Sequence, residues 1–120
     1  MKLGRKISGG KYIKRRKKKL YGLPGQKKSV KLGEEKRKSK KVKSGRQKNF
    51  ILKAKFVNVL QGKGKNKRVE IKNVLETPSN RFLARQNVIT LGTLVQTDLG
   101  KVKITSRPSQ HGILNGILVE

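Results

Sequence analysis

From Phe50 onward the chain alternates apolar and polar residues with the period of a β-strand. "FILKAKFVNVL" (residues 50–60) sets Leu52, Ala54, Phe56 and Leu60 on one face and Lys53 and Lys55 on the other. "QGKGKN" then supplies a glycine turn, and "KRVEIKNVLET" alternates Val69 and Ile71 with Glu70 and Lys72, so the two runs predict a hairpin. "TPSNRFLARQ" holds Pro78 and Asn80 and reads as a connection. The runs "NVITLG" and "TLVQT" follow, and a turn at "DLGK" leads into "KVKITS", which alternates Val102 and Ile104 with Lys103 and Thr105. "RPSQHG" reads as a loop and "ILNGILVE" as a last strand. Six short strands with few helix signals predict a mainly β fold, a small six-stranded β-barrel core. Closure would remove the edges that an open sheet exposes. Gly92 and Gly116 fall within or beside strands, where barrels bend.

Upstream the pattern disappears. Residues 1–49 hold 11 apolar residues, scattered, against 28 in residues 50–120, too few to offset the entropy of ordering the chain. Gly4, Gly9, Gly10, Gly22, Gly25, Gly33, Gly45 and Pro24 interrupt helices, leaving room for no more than a turn or two over residues 14–20. The expectation is a long, extended basic N-terminal arm over residues 1–45, disordered when free, followed by the β-barrel domain over residues 46–120.

Charge changes the picture from fold to partner. The 120 residues carry 33 Lys and Arg against six Asp and Glu, a net charge of +27. The excess is uneven: residues 1–49 carry 21 cations and two acids, a net +19, and the rest only +8. "KYIKRRKKKL" alone holds seven cations and no acid, a block that repels itself unless phosphates neutralise it. A clustered charge of this size is the electrostatic footprint of a nucleic-acid binder. The chain has no cysteine, which excludes disulfides and thiolate metal sites and fits an intracellular protein. No stretch reaches the roughly 18 apolar residues of a membrane span. "MKLGRKISGG" has no apolar run of signal-peptide length, so the expected compartment is the cytoplasm.

Individual motifs sharpen the site. "GRKISGGKY" places Gly4 and Gly9 at the spacing of a phosphate loop, but Gly10 stands where the lysine belongs and no strand precedes it. The better reading is loop backbone lying against phosphates, with Gly9 and Gly10 permitting close approach beside Arg5, Lys6 and Lys11. Lys14, Arg15, Arg16, Lys17, Lys18 and Lys19 are the expected phosphate contacts of the basic block. Lys27, Lys28, Lys40, Lys41 and Arg46 extend them. In "TSRPSQHG", Arg107 offers a planar fork for a phosphate or a guanine edge, and Gln110 and His111 can hydrogen-bond bases or sugars, unless Pro108 simply sets an ordinary turn. Arg81 and Arg85 could equally reach RNA or solubilise their loop.

His111 is the only histidine, and dispersed acids give it neither a metal set nor an orienting carboxylate. No catalytic constellation is legible, so no enzyme, metal or cofactor is expected. Phe50 and Phe56 share a face with Leu52 and Ala54 and read as core, not as a base-stacking pair. That favours folded, phosphate-rich RNA over single strands.

Several segments then become familiar together. "SGGKYIKRRKKK" (8–19), "LYGLPG" (20–25) and "KLGE" (31–34) precede the 36-residue run "RQNVITLGTLVQTDLGKVKITSRPSQHGILNGILVE", with its Ser-Arg-Pro-x-Gln loop. In these the chain resembles the S8e family of small-subunit ribosomal proteins, and the direct joining of strands by Asp98–Leu99–Gly100–Lys101 resembles its archaeal members. The resemblance implies a β-barrel with a basic extension, assembled in the cytoplasmic ribosome on small-subunit ribosomal RNA beside neighbouring ribosomal proteins. A membrane or a small-molecule substrate is not implied. The first rival to this reading is a free basic protein that compacts DNA or RNA. Behind it stand a nuclease or RNA-modifying enzyme, which the lack of clustered acids, cysteine and a His pair argues against, and a membrane-active cationic protein, which the strand periodicity of the apolar residues argues against.

Overall fold

The computed structural model describes residues 4–12, 16–61 and 64–119. Among the described residues, nine strands and two short α-helices follow one another: β1 (Val30–Leu32), β2 (Lys36–Lys41), β3 (Gln47–Ala54), β4 (Phe56–Gln61), β5 (Lys65–Glu76), α1 (Arg81–Arg85), β6 (Val88–Ile89), β7 (Leu94–Thr97), β8 (Gly100–Ile104), α2 (Pro108–His111) and β9 (Asn115–Leu118). They form two sheets. One is a closed barrel in the order β4-β5-β7-β8-β9, and the other runs β2-β3-β1-β6. The protein is mainly β, but the barrel has five strands, not the six expected.

The structure departs from the expected barrel in two places. Residues 50–60 are not one strand. The chain breaks at Lys55, ending β3 in the open sheet and starting β4 in the barrel. Strict alternation through the break would have buried either Lys53 and Lys55 or Phe56 and Leu60. The break resets the phase, so Ile51, Ala54, Val57 and Val59 point inward while Leu60 is exposed. The Lys55 carbonyl accepts a hydrogen bond from Ile71 N at 2.9 Å, which satisfies the backbone at the corner. The strand missing from the count is β6. It was expected in the barrel but pairs with β1, Val30 opposite Ile89.

Upstream of Phe50 the sequence suggested no strand. There the structure places β1, which runs parallel to β3, and β2, which runs antiparallel to it. Val30 is 2% exposed and belongs to the same apolar cluster as the barrel residues. The packed unit therefore reaches back to Val30.

The predicted hairpin forms, with Val57 opposite Val69. Gly62 and Lys63 of its glycine turn lie outside the described residues. Strand β5 is 12 residues long and serves β4 on one edge and β7 on the other. Register shifts at Ile71/Asn73 and Val74/Glu76 curl it around the barrel. Valines dominate the interior: Val59, Val95 and Val102 are fully buried. Asp98 sits in the expected turn and pairs with Lys72 at 2.7 Å. The connection after β5 contains α1, where Asn80 Oδ1 accepts from Phe82 N at 3.0 Å and caps the helix.

Glu35 ties the two sheets together. Its carboxylate accepts from Arg37 in β2 and, at 3.3 Å, from Arg68 Nη2 in β5. The Arg37 hydrogen bond, helped by both guanidinium charges and partly offset by desolvation, holds the Glu35 carboxyl below its ordinary value. A depressed folded-state value means that this contribution is present above the ordinary carboxylate range and fades as pH falls through the folded value. Between about pH 6 and about pH 3, the urea midpoint of the wild type should fall further than that of Glu35→Gln. The difference is small because the pair is solvent-exposed.

Candidate nucleic-acid interface

Most cations on this molecule have no acid to answer them. Among the described residues the ion pairs engage Glu35, Glu70 and Asp98, and they neutralise Arg37, Arg68, Lys55 and Lys72. None of these four is among the cations the sequence nominated. All the nominated cations that are described are exposed.

Residues 5–11 close a small turn. Arg5 bridges Lys11, Lys6 N donates to Gly10 O at 2.8 Å, and Gly9 N donates to Lys6 O at 2.9 Å. Gly9 sits at φ +78°, a conformation that favours glycine, and a Cβ there would meet nothing within 4 Å. The turn thus presents backbone and three cations to solvent. Lys14 and Arg15 lie outside the described residues. Arg16, Lys17, Lys18 and Lys19 are exposed and lead into a one-turn 3-10 helix at Leu20–Gly22.

A second basic surface is built by β2. All six of its residues, Lys36, Arg37, Lys38, Ser39, Lys40 and Lys41, are exposed, and the strand forms one edge of the open sheet. Cations on an edge discourage pairing with another chain, and that alone would justify them. The register gives them further use. Lys38 stands opposite Phe50 and Lys40 opposite Lys48 in β3, so these side chains share a face. Lys27 and Lys28 reach the same face, around a groove of about 580 Å³. Lys28 Nζ lies 3.4 Å from the centroid of the Phe50 ring, a cation–π contact that fixes where the ammonium stands. Phe50 is core as expected, at 8% exposed, and also positions a cation. Phe56 is only half-buried, with the Arg68 guanidinium 4.4 Å from its ring centroid. Lys41 and Arg46 flank the β2–β3 connection, both exposed.

The "RPSQHG" segment is not an open loop. Pro108 starts α2, a single turn in which Gln110 N and His111 N both donate to Arg107 O, at 3.0 and 2.9 Å. Gly112 ends it at φ +69°, and a Cβ there would stand 3.1 Å from Asn49 Cβ. Ser106 staples the base of the segment. Its Oγ donates to Ile113 O and accepts from Asn115 N, both at 2.9 Å, in a nearly buried position. Ser106→Ala would remove two part-buried hydrogen bonds, to Ile113 O and from Asn115 N, a loss of about 1 kcal/mol. Thermal unfolding should report that loss, and faster amide exchange at residues 107–112 should report the loosened turn.

This anchoring sends the nominated residues to different places. Arg107 and Gln110 border a cleft with Lys27 and Lys28. His111 faces another, with Arg37, Lys38 and Asn49. Arg81 and Arg85 stand apart on α1, Arg85 beside Asn73 and Asn87. Sequence reasoning passed over Lys36 and Lys38. The run "KRKSKK" showed only its charge, and which of its cations share a face with Phe50 follows from the pairing of β2 with β3. Among the described residues no group of three His, Asp or Glu gathers as a metal site.

Comparison with known proteins adds what geometry does not hold. The family model described as ribosomal protein S8e matches residues 1–119. The protein named small ribosomal subunit protein eS8 of Staphylothermus marinus is 45% identical over 118 residues, covering 97% of this chain and 92% of its own. Its namesake in Sulfolobus acidocaldarius is 43% identical, covering 96% of this chain and 91% of its own. That of Nanoarchaeum equitans is 41% identical, covering 97% and 92%.

Proposed function

Because the chain belongs to the S8e family of ribosomal proteins, we propose that it is a structural constituent of the small ribosomal subunit that binds and stabilises folded small-subunit ribosomal RNA through phosphate contacts. The observation that carries this reading is the separation of charge from its counter-charge. Three of the six acids, Glu35, Glu70 and Asp98, are engaged in ion pairs within the barrel and its junction, and the described cations of residues 5–28 and of β2 stand exposed. Phosphates are the partner that such a surface fits. The barrel and its attached sheet dock on folded RNA. The basic segment ahead of Val30 acts as an arm that runs between RNA helices and becomes ordered as it binds. Arg5, Lys6 and Lys11 on the N-terminal turn, Arg16–Lys19, and Lys27, Lys28 and Lys40 make the backbone contacts that set affinity. Arg107 and Gln110, held by α2, are the oriented contacts. The protein works in the cytoplasm within the ribosome, beside other small-subunit proteins, and its role is structural, not enzymatic.

A competition titration tests this against the rival of a general nucleic-acid coat. Labelled small-subunit rRNA transcript should be displaced by the same unlabelled transcript at far lower concentration than by random duplex DNA. Equal displacement by both, per phosphate, would contradict the reading and favour compaction.

A further inference from the structure

A cleft of about 450 Å³ opens where α2 faces β6 and the segment before β1. Its wall is aliphatic: Val30, Val88, Ile89 and Pro108 are buried there, Leu83 is half-buried, and Leu91 is 47% exposed at the mouth. Around that wall stand the exposed cations Lys27, Lys28 and Arg107. No carboxylate lines the cleft. Ser79, Thr90 and Gln110 supply hydroxyls and an amide at its border.

We infer that this cleft receives one unpaired nucleotide of the ribosomal RNA, its base against the aliphatic wall and its flanking phosphates against Lys27 and Arg107. This rests on the proposed rRNA-binding role and adds a site to it. A flat apolar body carrying anions on either side is what an apolar wall ringed by cations complements. A ribosomal neighbour's apolar side chain would fill the wall but leave Lys27 and Arg107 unanswered. A base within a duplex cannot enter, because it is stacked on both faces, so the occupant is extruded from its helix. The lining has no aromatic ring. The base is therefore held by aliphatic packing and by the planar guanidinium of Arg107, which can stack on it. Gln110 can both donate to and accept from a base edge.

The test uses the full chain with Leu91→p-benzoylphenylalanine, which places a photo-crosslinker at the mouth. It is bound to small-subunit rRNA transcript, irradiated and mapped by reverse transcription. The expected result is a stop at one unpaired nucleotide, absent when the crosslinker is placed instead at Leu118, which is exposed and outside the cleft. Wild-type-like binding with no stop, or with stops scattered through paired regions, would overturn the inference and leave the rRNA-binding role standing. Crosslinking to another ribosomal protein in reconstituted subunits would overturn it as well. Failure to bind the transcript at all would overturn both, and the binding curve tells these failures apart. A second variant, Ser79→Trp, fills the exposed border of the cleft. It should lower the preference for the transcript over duplex DNA by roughly tenfold with an unchanged salt slope, since a single base contact is lost and no phosphate contact. An unchanged preference would overturn the inference.

Discussion

Replacing Arg16, Lys17 and Lys18 together with alanine will weaken binding to small-subunit rRNA by roughly 10–100-fold at physiological salt and flatten the slope of log K against log salt by about 2–3. The three side chains are exposed, and none belongs to the apolar cluster. Thermal stability of the free protein should therefore not change. Each cation that meets a phosphate releases counterions, so the slope counts the contacts directly. The same triple change should weaken binding to every folded RNA by a similar factor, because phosphates position and do not specify. An unchanged slope, read by filter binding across a salt series, would remove these residues from the interface.

Gly116→Val will unfold the barrel from its closing seam, lowering stability by about 3 kcal/mol or more and the melting temperature by on the order of 10 °C. Strand β9 pairs parallel with β4 and antiparallel with β8, and Gly116 lies in both registers, opposite Val59 and Ile104. A Cβ there would press into Val102 Cγ1 and stand 3.0 Å from Lys103 O. The backbone oxygen cannot move without breaking a ladder, and Val102 is fully buried. A valine would add two more carbons to that collision. Calorimetry on the variant checks the magnitude. Gly92→Ala is the useful contrast, because it is strained by φ +82° but meets nothing within 4 Å. It should cost less than Gly116→Val.

The barrel strands were legible where one face alone is buried. Val69 with Ile71, and Val102 with Ile104, alternate with charged or polar neighbours and face inward as expected. The break at Lys55 was not legible, because residues 50–60 are apolar enough to satisfy two different phases. Only the presence of two sheets decides between them. Strand β1 has one deeply buried residue, Val30, and takes its conformation from β3 and β6, which are distant in sequence. Strand β2 is exposed throughout. A run of cations carries no apolar signal, so its pairing with β3 cannot be read from its own residues.

The interface divides in the same way. Charge density pointed to the arm, and the Ser-Arg-Pro segment stood out by its residue types. That Lys27 and Lys28 share one cleft with Arg107 and Gln110 follows from packing across some 80 positions of chain. The Lys28–Phe50 contact is likewise tertiary. Local pattern says what a side chain can do, and the topology decides beside which others it does it.

Sedimentation of cell extract through a sucrose gradient, with and without a high-salt wash and probed for this protein, tests the central claim most directly. The account predicts that the protein travels with the small ribosomal subunit and remains there through moderate salt. Migration as free protein, or with chromosomal DNA, would contradict it.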